Sequence, residues 1–141
     1  MTGPRALHAT TVALGEDRGL LVLGPSGSGK SALALQLMAL GARLVADDQT
    51  LLTLQDGAVT ATCPAAILGR IEARGLGILR ADPLPRARLI LAVDLGHEET
   101  ERLPPLRHIT LLGQPIALVH GQRSAHFPSS LLCYLSHGRD A

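Results

Sequence analysis

Gly24-Pro25-Ser26-Gly27-Ser28-Gly29-Lys30-Ser31 follows the P-loop spacing GxxxxGK[ST]. In such a loop successive backbone N–H groups turn inward around the β- and γ-phosphates of a nucleotide, and the helix that follows adds the positive end of its dipole. Lys30 is expected to reach the β/γ oxygens and Ser31 to place its hydroxyl on Mg²⁺. Lys30 is also the chain's one lysine, the other twelve of its 13 basic residues being arginine. A compact ammonium used once marks a site, because arginine supplies every general positive charge here. Read only as a glycine-rich turn, the stretch leaves that lysine unexplained.

The carboxylates come next. A serine hydroxyl is a weak nucleophile, and a carboxylate within hydrogen-bond reach can take its proton as a phosphoryl group is transferred. Asp47 and Asp48 end an apolar run and are the candidates, although the same pair could simply form a turn. On an extended chain they point to opposite faces, one toward substrate and the other toward metal or core; the spacing leaves open which is which. Asp94, closing the apolar run LILAVD, fits the Walker-B description and is a rival metal residue. Taken singly, His8 reads as a strand histidine, and Glu72, Arg74 and Arg102 as solvated charges. His97, His108, His120, His126 and His137 lack zinc-ligand spacing and read as surface or local hydrogen-bonding groups.

Positioning these residues requires an alternation of strands and helices. Residues 6–14 predict a strand and 19–23 a second one, continuously apolar and therefore buried on both faces. Residues 31–40 are nearly all strong helix formers, predict a helix buried over much of its surface, and are followed by Gly41 as a left-handed cap. Residues 42–46 return as a strand that carries the aspartates to the ligand-binding end of an open sheet. A hairpin is expected around Asp56-Gly57, a short helix over 65–70, and a loop over the glycine-containing stretch that follows. Residues 89–95 predict a buried strand, 96–108 an exposed loop, 109–119 a hairpin around Gly113 and Pro115, and 129–136 a short helix. The expected fold is α/β, a P-loop domain with a mixed, largely parallel central sheet flanked by helices, in one domain over residues 1–141.

Composition narrows the function. The chain has 141 residues, 46% of them hydrophobic, enough for a single core. Thirteen basic against 12 acidic residues give a net charge of +1, so no global field recruits nucleic acid or an anionic membrane. Phe127 and Tyr134 are the only aromatic residues of their class, which disfavours stacking platforms for bases. No apolar run is long enough for a membrane span, and the N-terminus lacks a signal-peptide pattern. Two cysteines, Cys63 and Cys133, lie in apolar stretches, as expected of a cytoplasmic protein with buried thiols.

The loop does not choose between a kinase, a GTPase, a transporter ATPase and a nucleotide sensor. A guanine-recognition motif needs a second lysine, and an LSGGQ-type stretch is missing. Leu7-His8-Ala9, the P-loop, Leu44-Val45-Ala46-Asp47-Asp48 and Glu72-Ala73-Arg74-Gly75-Leu76-Gly77-Ile78 occur in an order and spacing that resembles the bacterial HPr kinase/phosphorylase family. The resemblance is close over residues 7–80; beyond it, Glu101-Arg102-Leu103-Pro104 resembles the family's later arginine region. It implies an ATP- and Mg²⁺-dependent kinase that phosphorylates a serine of HPr, the phosphocarrier protein of the sugar phosphotransferase system. It further implies that the P-loop from Gly24 to Ser31 holds ATP, that Ser31 and Glu72 hold the metal, that Asp48 accepts the seryl proton, and that His8 and Arg102 lie around the phosphoryl group. A homo-oligomer, a hexamer in the family, is implied as well. The chain begins almost at the catalytic core, as short members do. Val119-His120-Gly121-Gln122-Arg123-Ser124 stands where the family carries a PGRN-like stretch linked to phosphorolysis, so reverse phosphorylase activity is an open question. A small-molecule kinase and a non-catalytic ATP sensor are the alternatives.

Overall fold

Short glycine and acid turns fold the chain back on itself, and this sets most of the strand pairing. A computed structural model describes residues 4–141; residues 1–3, at the start of the stretch read for a leader, lie outside the described residues. The elements are β1 (Arg5–Leu7), β2 (Thr10–Ala13), β3 (Gly19–Leu23), α1 (Lys30–Ala39), β4 (Arg43–Ala46), β5 (Thr50–Gln55) and β6 (Ala58–Thr62). After a 3-10 turn at Ala65–Ile67 come β7 (Arg70–Ala73), β8 (Gly77–Arg80), β9 (Arg86–Glu98), β10 (Arg107–Leu111), β11 (Gln114–Gly121) and α2 (Phe127–His137).

β9 organises the sheet. Its residues 86–88 pair antiparallel with β6, 89–94 pair parallel with β3, and 91–94 pair parallel with β11. The full order is β1-β5-β6-β9-β3-β2-β4, with β10 reached through β11. Among the described residues only the β3–β9 and β9–β11 pairings are parallel, so the sheet is mixed and mostly antiparallel, not largely parallel. The reason is local: the turn at 14–18, Asp56-Gly57 and Leu112-Gly113 are too short to join anything but antiparallel neighbours. At two of them both turn residues have positive φ, Asp56 at 52° with Gly57 at 77°, and Leu112 at 50° with Gly113 at 79°. That is the hairpin geometry whose twist matches the flanking strands. Pro115 belongs to β11, opposite Thr110, and not to the turn.

The helices do not flank the sheet on both sides. Leu33, Ala34 and Leu37 of α1 pack with Phe127, Leu131 and Leu135 of α2 on one face, against Val12, Leu20, Val22, Leu91 and Val93. The opposite face, carrying Ala13, Leu21, Leu89 and Ala92, is covered by Leu52, Val59 and Ala61 of the curling β5–β6 ribbon and by Leu111 and Ile116. β3 is therefore apolar throughout because both of its faces are buried, as expected. α1 is fully buried only along Lys30, Leu33, Ala34 and Leu37, with Leu35 and Met38 partly buried, so the helix expected to be buried over much of its surface buries one face. Its outer face carries Ala32 and Ala39, small enough to make the sequence look more buried than the helix is.

Three further expectations change. Residues 6–14 form two strands, because the chain leaves β5 at Leu7 and rejoins the sheet between β3 and β4 at Thr10, with His8 and Ala9 at the break. The helix expected over 65–70 is a single 3-10 turn over 65–67; the chain turns extended at Leu68, with ψ 129°, and Gly69 follows at φ 72°. The stretch read as a loop is the β7–β8 hairpin, with its glycines at the turn. β9 also extends through His97 and Glu98, shortening the predicted loop. No helix of the described chain is long and apolar enough to cross a membrane. Cys63 is half-buried and Cys133 is exposed on α2, so the expectation of two buried thiols is corrected.

Candidate active site

The P-loop is a strand-to-helix connection held by backbone geometry that favours glycine. Gly24, Gly27 and Gly29 have φ of 152°, 82° and 98°. At Gly24 a Cβ would lie 2.4 Å from Ser28 Oγ, so the loop closes on itself only without a side chain there. Gly29 caps α1, its carbonyl accepting the Leu33 N–H at 2.9 Å. Lys30, the first helical residue, is 7% exposed and donates from Nζ to the carbonyls of Gly24 at 2.9 Å and Pro25 at 3.2 Å. The ammonium is thereby folded over the concave side of the loop. Ser28 Oγ is buried without a hydrogen-bond partner, the only such side-chain atom among the described residues.

The two aspartates have different environments. Asp47 is 7% exposed, and its Oδ1 accepts from Ser31 Oγ at 2.7 Å and Thr10 Oγ1 at 3.0 Å. Its Oδ2 accepts the Glu72 N–H at 3.0 Å. One carboxylate thus ties together the strand β2, the P-loop helix and the hairpin strand β7. Asp48 is turned out by a left-handed backbone at φ 67°, a conformation that aspartate tolerates better than most residues. Its Oδ1 lies 3.3 Å from His8 Nε2, and both side chains are more than half exposed. The break at His8 and the turn at Asp48 thus bring together two groups from distant parts of the sequence.

His8, Ser26, Lys30, Ser31, Asp48 and Glu72 line one open cavity of about 690 Å³. Its remaining wall is Gly27 and Gly29 of the loop, Ala32, Leu35 and Gln36 of α1, and Ala73, Arg74 and Leu76 of the β7–β8 hairpin. A bound divalent cation suits this donor set. Ser31 Oγ already sits on the Asp47 carboxylate, and Glu72 projects from the strand whose N–H binds that carboxylate. Nearby, burial first and the negative charge of Asp47 second push the Cys63 thiol above its ordinary pKa, which keeps it protonated.

The profile of the HPr Serine kinase C-terminal domain matches residues 1–84, more than half of the chain, and covers every cavity residue. The chain belongs to this family. The HPr kinase/phosphorylase of Bordetella petrii is 37% identical over 121 residues, which span 76% of this chain and 39% of that protein. The HPr kinase/phosphorylase of Xylella fastidiosa is 47% identical over 78 residues, 54% of this chain and 24% of that protein. The chain therefore covers well under half the length of these relatives. The structure of the Hpr(Ser) kinase/phosphatase from Coxiella burnetii shares the fold with a TM-score of 0.74 at 21% identity, over 94% of this chain and 87% of that one.

Within this HPr serine kinase domain, the cavity gathers Ser26, Gly27, Gly29, Lys30 and Ser31 of the predicted P-loop with His8, Asp48 and Glu72, and Asp47 lies directly behind Ser31; Gly24, Pro25 and Ser28 lie outside its lining. It does not gather Arg102. That residue is exposed on the 99–106 loop beyond β9, outside the lining of the cavity. Asp94 sits on the strand beside β3, as a Walker-B acid does, yet its carboxylate accepts the Gly96 N–H and faces His97 at 2.8 Å, outside the cavity. Sequence reasoning missed Thr10, which donates to Asp47 and accepts the Asp48 N–H at 3.2 Å. Its position two residues after His8, within a strand, is the signal that could have found it. Arg74 was read as a solvated charge unless the resemblance held; it lies in the cavity wall.

Proposed function

We propose that residues 1–141 form a single catalytic domain of a cytoplasmic, MgATP-dependent kinase that phosphorylates a serine of an HPr-type phosphocarrier protein. The observation that carries this reading is the split of the aspartate pair: Asp47 is saturated by Ser31, Thr10 and Glu72, whereas Asp48 faces the cavity beside His8. That division supplies a metal-side carboxylate, Asp47 behind Ser31, and an acceptor-side carboxylate, Asp48 in the cavity, which is what transfer to a hydroxyl requires.

Under this reading the P-loop N–H groups and Lys30 hold the β- and γ-phosphates, and the Ser28 hydroxyl is a further donor within the loop. Ser31 and Glu72 hold Mg²⁺, with Asp47 orienting the Ser31 hydroxyl. When bound, Mg²⁺ neutralises charge that develops on the transferred group. Asp48 takes the seryl proton, and His8, 3.3 Å away, steadies the carboxylate in its outward orientation. The names of the relatives include a phosphorylase; in that reaction inorganic phosphate would take the place of ADP as acceptor, the phosphoryl group would leave seryl phosphate to form pyrophosphate, and Asp48 would return the proton to the seryl oxygen. Arg102 reaches the phosphoryl group in this proposal only by a movement of the 99–106 loop or from a second copy in a homo-oligomer.

The test is intact-mass spectrometry of HPr after incubation with this protein and MgATP, with Lys30→Ala as control. One added phosphate on serine, lost with Lys30→Ala, is the expected result. No phosphate on HPr in the presence of measurable ATP binding would overturn the substrate assignment and favour a small-molecule kinase or a nucleotide sensor. Incubating the phosphorylated product with inorganic phosphate then reads the reverse reaction.

A further inference from the structure

β4, β3, β9 and β11 run in the same sense, so their C-terminal ends share one edge of the sheet, the edge at which α/β sheets take ligands. Along that edge lie the Asp47-Asp48 turn, the P-loop, the bend at 94–97 and His120, in that order. With neighbouring strands about 4.8 Å apart, β4 and β11 each stand about 10 Å from β3, on opposite sides. Asp47 and Asp48, with His8, occupy one flank of the P-loop, and His97 and His120, with Asp94, the other.

The imidazoles are stacked. His97 and His120 have ring centroids 5.2 Å apart and planes inclined by 25°. His97 is 68% exposed yet anchored, its Nδ1 lying 2.8 Å from Asp94 Oδ2, while Asp94 Oδ1 accepts the Gly96 N–H at 2.8 Å. Gly96 in turn rests against the first arm of the P-loop, where a Cβ would come within 3.4 Å of Pro25 Cδ. The rings are therefore braced against the phosphate loop itself. Among the described residues no group of three or more His, Cys, Asp or Glu is arranged to hold a metal ion, so the pair is not explained as a metal site.

We propose that His97 and His120 form the platform on which the base of the bound nucleotide stacks, an inference that rests on the P-loop binding a nucleoside triphosphate. The γ-phosphate must face Asp48 and the metal-side Asp47 for transfer, so the nucleoside leaves the loop on the opposite flank. That flank carries these two stacked rings. Phe127 is buried in the core and Tyr134 packs against it, so imidazoles take the stacking role that the low aromatic content denies to other side chains.

Calorimetric binding of MgATP and of magnesium tripolyphosphate, which has the phosphates without a base, separates the possibilities. The His97→Ala/His120→Ala double variant is expected to bind MgATP about tenfold more weakly and tripolyphosphate unchanged, with His120→Phe retaining ATP affinity. Equal ATP binding by wild type and the double variant overturns the platform while leaving the phosphate site intact. Equal loss of both ligands also overturns it, since the rings would then act by shaping the loop. Binding of neither ligand by the wild type removes the underlying nucleotide reading and the platform with it.

Discussion

Asp47 and Asp48 are neighbours of one chemical type, and their contacts predict opposite responses to substitution. The Asp48 side chain is exposed and faces His8, and its left-handed backbone is one that asparagine also tolerates. Asp48→Asn should melt like the wild type, retain ATP affinity and lose on the order of 10²–10⁴-fold in kcat, the range of general-base contributions. Asp47→Ala strands the hydroxyls of Thr10 and Ser31 and the N–H of Glu72. It should cost about 3 kcal/mol in urea denaturation. A normal transfer rate for Asp48→Asn would move the base role to another carboxylate; unchanged stability for Asp47→Ala would mean that water replaces its three contacts.

α1 links the site to the core. Its N-terminus carries Lys30 and Ser31, and one turn later Leu33, Ala34 and Leu37 seat the helix against the sheet and α2. Leu37 is fully buried, so Leu37→Ala should destabilise the domain by about 2–5 kcal/mol, measured by thermal or chemical denaturation. Because the P-loop is continuous with the helix that Leu37 holds, the same variant tests whether ATP affinity follows helix seating. The helix ends where the sequence placed its end. Gly41 has φ 113°, and the N–H groups of Gly41 and Ala42 close on Met38 and Leu37. By contrast, the β7–β8 hairpin was not recognisable, because its strands are short and its outer face carries the exposed Leu76 and Ile78. Its alternating burial exists only because α1 covers the side with Ile71 and Ala73.

Across the whole chain, formal charges nearly cancel, and one ion pair stands out where it closes the 99–106 loop between β9 and β10. Glu99, only 4% exposed, pairs with Arg107. Burial alone would raise the pKa of Glu99, but the N–H groups of Glu101 and Thr100 and the Arg107 guanidinium outweigh it and hold the carboxyl below the ordinary 4.5. A carboxylate with a depressed pKa in the folded state adds stability that is fully present above its unfolded value and is lost as pH falls through the folded one. Glu99→Gln should therefore be less stable than wild type at neutral pH, with the difference shrinking below pH 4.5. Denaturation midpoints at pH 7 and at decreasing acidic pH check it; a constant difference would mean that the pair does not titrate with folding.

Much of this was legible from residue order. The P-loop, its flanking strand and helix, and the Asp56-Gly57 turn follow from short-range rules, because a few adjacent residues determine each backbone path. The single lysine identified its own site for the same reason. Sheet direction, the face covered by the helices and the partition of Asp47 from Asp48 depend on contacts between segments about 25 to 40 residues apart, such as Thr10 with Asp47 and Asp47 with Glu72. No local spacing encodes those meetings. Arg102 shows the limit from the other side: its motif is readable, but its place is set by where β9 releases the 99–106 loop. The ladder switch at His8 is likewise a consequence of packing, since β3 and β4 occupy both edges of residues 10–13 and leave none for β5, which pairs residues 5–7 instead.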